Sequence, residues 1–227
     1  MTAHPSIRLA VLDLAGTTVR DDGAVEAAFV EALRQAGAGP DTDGFPGRLE
    51  YLRTTMGRSK IEVFRALLGD ETGAQRANAA FEAAYEAKLA AGGAEPIPGA
   101  VEAIATLRAS GVLVCLTTGF STRTLEALLD ALAWRDRVDL ALSPSPGVRG
   151  RPHPDLVLAA VLALEVDDVR DVAVAGDTAN DLLAGTRAGA SVVAGVLTGA
   201  HDRSQLAAAP HTHLLESVAD LPPLCVA

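Results

Sequence analysis

The sequence predicts an α/β fold: a parallel sheet covered by helices on both faces, interrupted by one helical insertion. Three observations predict it. Short β-rich apolar runs end in small or polar residues, longer helix-period segments separate them, and the stretch from about Asp22 to Pro96 contains no convincing strand. At 227 residues, 49% of them hydrophobic, the chain is long enough for one sizeable core and a smaller appended unit.

The elements follow in order. A first strand runs from Arg8 to Leu14 and ends in the turn Gly16-Thr17-Thr18. Helices are then predicted over Ala24 to Gln35, Ser59 to Leu68 and Ala74 to Ala90, before Gly92-Gly93 and Pro96-Ile97-Pro98-Gly99 stop the helical run. Beyond them, strands at Val112 to Thr117, Val138 to Ser143, Asp171 to Ala175 and Ser191 to Leu197 alternate with helices at Val101 to Ala109, Thr122 to Ala133, Asp155 to Leu164 and Asp181 to Ala188. This gives a core of residues 1–21 and 97–227 and a helical cap of residues 22–96, joined by two linkers and able to close over the strand ends. Ligands belong at the carboxyl ends of such strands, and a closing cap excludes water there. Phe64, Leu67 and Leu68 lie near one face of a cap helix, which could serve a homodimer as readily as a cap core.

Composition removes several function classes. The net charge is −10 and the basic residues are scattered, so there is no electrostatic footprint for nucleic acid or an anionic membrane. The expected partner is a small molecule. An anionic substrate must then be drawn in by a local cation, a metal ion or helix N-termini. No apolar run approaches the roughly 20 residues that cross a bilayer, and Met1 to Ser6 has no leader pattern, so a cytoplasmic protein is expected. Cys115 and Cys225 are not at metal-ligand spacing and read as idle thiols. His211 and His213 flank Thr212 in an alternating segment; we read a strand face rather than a metal pair, since no third ligand is evident.

The chemistry lies in the carboxylates. Asp13 ends the first strand, Asp177 follows the strand Val172-Ala173-Val174-Ala175, and Asp181 comes four residues later. Parallel strands bring their exits together, so three carboxylates from two distant segments can converge on one hard cation such as Mg²⁺. Singly, Asp177 and Asp181 also read as a helix N-cap and a first-turn acid. Arg151, in Gly150-Arg151-Pro152-His153-Pro154-Asp155, suits a loop entering a helix as well as a cation at the sheet edge, and both can hold at once. Thr117 and Thr118 are equally compatible with ordinary strand-end residues.

Taken as a set, Asp13-x-x-Gly16-Thr17, Thr117, Arg151 and Gly176-Asp177-Thr178-x-x-Asp181 resemble the four motifs of the haloacid dehalogenase superfamily across the whole chain. The resemblance implies a Rossmann-like core with a cap inserted after the first motif, and Asp13 as a nucleophile that attacks phosphorus. It implies Mg²⁺ held by Asp13, Asp177 and the backbone carbonyl of Ala15, with Asp181 supporting the metal or its water. Thr17, Thr117, Thr118, Gly119 and neighbouring N–H groups would hold phosphoryl oxygens, and Arg151 would neutralise them.

Position 15 narrows the reaction. Phosphatases resembling this pattern place a second Asp two residues after the nucleophile to protonate the leaving alkoxide, and Ala15 cannot. General acid catalysis contributes about 10² to 10⁴ in rate, roughly 3 to 5 kcal/mol. A carbanion beside an imine leaves without that proton, because it delocalises into an enamine. The imine needs an amine, and the chain has only two lysines, Lys60 and Lys88. Lys60 falls in Met56-Gly57-Arg58-Ser59-Lys60-Ile61, which, with the Asp-x-Ala-Gly-Thr-Thr turn, resembles the phosphonoacetaldehyde hydrolase family. That resemblance implies a Schiff-base lysine at position 60, a substrate-facing Met56 and Gly57, and an amine pKa lowered by burial or by Arg58. Taken alone, Lys60 reads first as a solvated residue starting a helix, paired with Glu62 or with nothing. The family usually has His three residues after the lysine and Tyr after Thr-Thr-Gly; Val63 and Phe120 stand there instead. Two other readings stay open: a phosphate monoester phosphatase that recruits Asp21, Asp22 or a cap residue as its acid, and a ligand-binding member that has lost catalysis.

Overall fold

The computed structural model describes residues 7–226; the leader reading at Met1 to Ser6 lies outside them. Six parallel strands form one sheet in the order β3-β2-β1-β4-β5-β6, where β1 is Leu9–Asp13, β2 Leu113–Thr117, β3 Leu140–Leu142, β4 Val172–Gly176, β5 Val192–Val196 and β6 His213–Leu215. This is the doubly wound order in which the chain leaves β1 towards opposite sides of the sheet, opening a crevice at the carboxyl end of β1. All five residues of β1 are buried, as its continuous apolar run requires, and Asp13 pairs with Thr117 across the ladder.

Four helices form the insertion that follows β1: α1 (Ala24–Gln35), α2 (Phe45–Thr54), α3 (Lys60–Leu68) and α4 (Glu71–Ala90). Three were expected. The additional helix, α2, buries only Leu52, so it has no apolar stripe for periodicity to reveal. It starts behind Gly44 with Pro46 in its first turn. The other three meet in an aromatic cluster, with ring centroids 4.7 Å apart for Phe29 and Phe64 and 4.8 Å for Phe29 and Phe81. Phe64 is fully buried there, so it belongs to this cluster rather than to an outer face. The cluster runs on into the sheet layer through Tyr85 and Phe120, 4.7 Å apart.

The remaining helices are α5 (Ala100–Ala109), α6 (Thr122–Leu132), α7 (Asp155–Ala163), α8 (Ala179–Ala188), α9 (Arg203–Ala207) and α10 (Pro222–Cys225). Two boundaries moved for identifiable reasons. The Asp70 carboxylate accepts the Gly73 N–H at 2.6 Å and starts α4 at Glu71, and a capping box between Thr178 and Asp181 starts α8 at Ala179. The last strand begins at His213, so the expected strand segment is shorter: His211 Nδ1 lies 2.8 Å from the Ala209 carbonyl and His213 Nδ1 2.8 Å from Thr212 Oγ1. Both cysteines are buried and unpaired, and burial pushes the Cys225 thiol up to about 12. Among the described residues no helix is long and apolar enough to cross a membrane.

Candidate active site

The carboxyl edge of the sheet gathers the charged residues. Arg151, in the loop before α7, holds them together. Its Nη1 lies 2.5 Å from Asp13 Oδ1 and 2.7 Å from Asp181 Oδ1, and its Nη2 donates to Thr117 Oγ1 at 2.8 Å. Asp177 accepts the Ala200 N–H at 2.7 Å on one oxygen and the Thr17 hydroxyl at 3.3 Å on the other. Asp13, Arg151, Asp177 and Asp181 are at most 5% exposed, so these charges are compensated chiefly by one another.

The turn after β1 shapes the rest. Gly16 has φ of 92°, and a Cβ there would collide with the Asp177 carboxylate, so only glycine permits both the turn and that approach. The N–H groups of Thr17, Thr18 and Val19 all point to the Leu14 carbonyl, at 3.2, 2.9 and 2.8 Å, and the Gly16 N–H to that of Val19 at 2.8 Å. The Ala15 carbonyl is left without a backbone donor among the described residues.

The electrostatics call for a cation. Burial, helped by Asp181, raises the Asp13 carboxyl to about 6 despite Arg151 beside it. Burial also pushes Asp177 well above the usual carboxylate range, and the charges of Asp13 and Asp181 add to that push. Four carboxylates, Asp13, Asp21, Asp177 and Asp181, thus stand around one arginine and one lysine. Carboxylate and carbonyl oxygens from Asp13, Asp177 and Ala15 are hard donors of the kind that suit Mg²⁺, and a divalent ion would relieve the repulsion. Asp181, expected to support the metal or its water, stands behind the other two. Its Oδ1 is taken by Arg151 and its Oδ2 accepts from the Thr178 N–H at 3.1 Å and hydroxyl at 2.5 Å, and no three acidic, His or Cys side chains stand together as a ligand cluster among the described residues.

Lys60 is the first residue of α3 and only 7% exposed. Its backbone N–H donates to the Gly119 carbonyl at 3.1 Å, while Nζ lies 5.6 Å from the Phe29 ring centroid and 5.1 Å from that of Phe120. Burial brings the amine down to about 8; Asp13, Asp21 and Asp177 oppose the fall and Arg151 assists it. The assisting cation is therefore Arg151. Arg58, expected in that role, instead turns its Nε towards Asn180 Oδ1 at 3.4 Å.

A small cavity of about 30 Å³ joins these groups, walled by Asp13, Ala15, Asp177, Arg151 and Lys60 together with Met56, Gly57, Thr118, Gly119 and Asp21. It has room for about two waters. Thr17, Thr117 and Asp181 are not in its wall; each supports a wall residue instead, Thr17 through Asp177 and the other two through Arg151. The cap closes on the core through the loop before α3. Asn180 Nδ2 donates to the Met56 carbonyl at 2.7 Å, and Gly57 lies so near Thr178 that a Cβ would stand 2.6 Å from its hydroxyl. Sequence reasoning missed Asn180 and Thr178 in this contact, although both fall inside the segment from Asp177 to Asp181.

A parallel sheet of this strand order, with an aspartate ending β1 and a second acidic pair after β4, defines a class of hydrolase. The chain belongs to the haloacid dehalogenase-like hydrolases, matching that family over residues 7–189. Among its relatives, a phosphonoacetaldehyde hydrolase from Bacteroides fragilis is 32% identical over 86% of this chain and 78% of its own length. A protein from Dickeya dadantii named as a probable phosphatase is 29% identical over 94% of this chain and 91% of its own. The crystal structure of a phosphonoacetaldehyde hydrolase-like protein from Oleispira antarctica superposes with a TM-score of 0.83 at 25% identity, covering 98% of this chain and 92% of that one.

Proposed function

We propose that this protein is a Mg²⁺-dependent hydrolase that cleaves the carbon–phosphorus bond of a small carbonyl-bearing phosphonate through an imine on Lys60. One observation carries the reading: a buried amine with a depressed pKa shares the cavity of Asp13, while position 15 holds no acid. At pH 7.5 an amine with a pKa of about 8 is roughly a quarter neutral, against about one part in a thousand for an ordinary lysine. Only the neutral form attacks a carbonyl.

In this reading Asp13 is the nucleophile on phosphorus and Arg151 neutralises charge on the phosphoryl oxygens, which Thr118 and Gly119 border. Asp13, Asp177 and the Ala15 carbonyl would hold Mg²⁺, and Asp181 positions Arg151. When bound, the ion supplies charge neutralisation and Lewis-acid polarisation at phosphorus. Lys60 condenses with the substrate carbonyl. The electrons of the breaking carbon–phosphorus bond pass into the imine, giving an enamine that needs no proton at that instant, and water then releases phosphate from Asp13. Met56 and Gly57 close over the substrate, which must enter through an opened cap because the closed cavity is too small for it.

The relatives named phosphonoacetaldehyde hydrolase support this reading. The relative named a phosphatase favours a phosphate monoester, which would need an acid other than residue 15 to protonate its leaving group. A panel of phosphonates and phosphate esters, assayed with Mg²⁺ for wild type beside Lys60→Ala, separates the two. Phosphonoacetaldehyde turnover lost in the variant supports the imine route; ester turnover that survives Lys60→Ala, with no phosphonate turnover in either protein, rejects it.

A further inference from the structure

Imine chemistry requires proton transfers, and at the two positions where the resembled family has a His and a Tyr this chain has Val63, buried in the cap, and Phe120, neither with a proton to give. Five ionisable side chains wall the cavity: Asp13, Asp21, Lys60, Arg151 and Asp177. Four have tasks in the reading above. An arginine stays protonated, so it cannot cycle a proton, and Asp13 and Asp177 are committed to phosphorus and the metal. Asp21 remains.

Its placement suits a proton carrier. Asp21 lies on the linker before α1, where its Oδ1 accepts the Val25 N–H at 2.9 Å. That bond fixes the side chain and leaves Oδ2 with no side-chain or backbone donor among the described residues. With Met56 and Ala200, Asp21 also borders a second cleft of about 990 Å³, so it stands between the small cavity and a space open to water. Burial lifts its carboxyl above the ordinary range, against the pull of the Val25 N–H and the charges of Lys60 and Lys88.

We infer that Asp21 is the proton-transfer group of the imine steps, an assignment that rests on the Lys60 reading. Neutral Lys60 Nζ forms a C–N bond to the carbonyl carbon, the C=O π pair moves to oxygen, and a proton passes from nitrogen to that oxygen. Protonated Asp21 then gives its proton to the resulting hydroxyl. The C–O bond breaks with its electron pair, water leaves, and the nitrogen lone pair closes the C=N bond. The Asp21 carboxylate is left facing a cationic imine. After carbon–phosphorus cleavage the enamine carbon takes a proton from solvent in the cleft and becomes an iminium again. The Asp21 carboxylate then takes a proton from the water that attacks it. The carbinolamine collapses to the aldehyde as its hydroxyl proton passes to nitrogen and the C–N bond breaks, which frees Lys60 and leaves Asp21 protonated as at the start.

The test is the rate at which borohydride traps phosphonoacetaldehyde on Lys60, read by mass spectrometry for wild type, Asp21→Asn and Asp21→Ser. Both variants keep an oxygen for the Val25 N–H, so melting temperature should hold. Trapping should slow on the order of 10²-fold or more, and added acetate should restore part of the rate in Asp21→Ser. Trapping at the wild-type rate in both variants overturns the assignment and leaves Lys60 standing. Slow trapping that tracks a lowered melting temperature, with no acetate rescue, reduces Asp21 to a helix cap and also overturns it. No adduct in wild type rejects the imine reading, and Asp21's role falls with it.

Discussion

The two walls of the cavity are built on opposite principles. On the sheet side, Asp13, Arg151, Asp177 and Asp181 form a buried charge network in which every side chain is held by another polar group. Opposite it, a single amine from the cap projects among aromatic rings of both cap and core, with Phe29 and Phe120 nearest and Phe81 and Tyr85 behind them. Burial acts on both walls: it raises the carboxyls of Asp13 and Asp177, against which Arg151 opposes the rise at Asp13, and it lowers the amine of Lys60. A reaction that needs an ionised nucleophile and a neutral amine within one small space calls for both environments at once.

That division of labour can be broken one wall at a time. Asp13→Asn has the largest expected effect on turnover, a loss on the order of 10⁴-fold or more, because it removes the proposed nucleophile. Imine formation should survive it and even quicken, since the Asp13 charge is one of the groups holding a proton on Lys60. Parallel assays of phosphate release and borohydride trapping check this; a variant that loses both would show that the two walls do not act separately.

Lys60→Met probes the other wall through stability, where a gain is expected. Lys60 falls from 10.5 to about 8 on folding, so below pH 8 both states are protonated and the folded state bears the whole burial penalty. That penalty is about 3 kcal/mol, and it fades as pH rises from about 8 to 10.5 and the folded amine sheds its proton. The methionine variant should melt roughly 6–12 °C higher at pH 7, with the gap narrowing towards pH 10.5. Equal melting temperatures at pH 7 would mean that the amine is solvated in solution.

The same contrast decides what the sequence could reveal. The charged wall is legible because its parts sit at strand ends in short motifs: Asp13 and Thr117 even share a register position, and Asp177 follows directly on β4. Lys60 is legible as a scarce amine in a suggestive motif. Its surroundings are not, because Phe29 and Phe120 reach it from segments far apart in sequence. Helix α2 escaped because one buried leucine makes no periodic face. Asp21 was legible only as an acid that an ester phosphatase could recruit, because nothing in the sequence shows that the fold brings it into one cavity with Lys60. The partners of Asp181, Arg151 on one oxygen and Thr178 on the other, come from the folded geometry and not from the motif.

The central claim is that Lys60 acts as a nucleophilic amine, and covalent capture tests it most directly. Wild-type protein treated with phosphonoacetaldehyde and borohydride should gain one adduct, located on Lys60, at a rate that rises with pH through about 8 as the amine loses its proton. Lys60→Ala should gain none, although Lys88 remains. An unmodified wild-type Lys60 in protein that still releases phosphate from the same substrate would contradict the account.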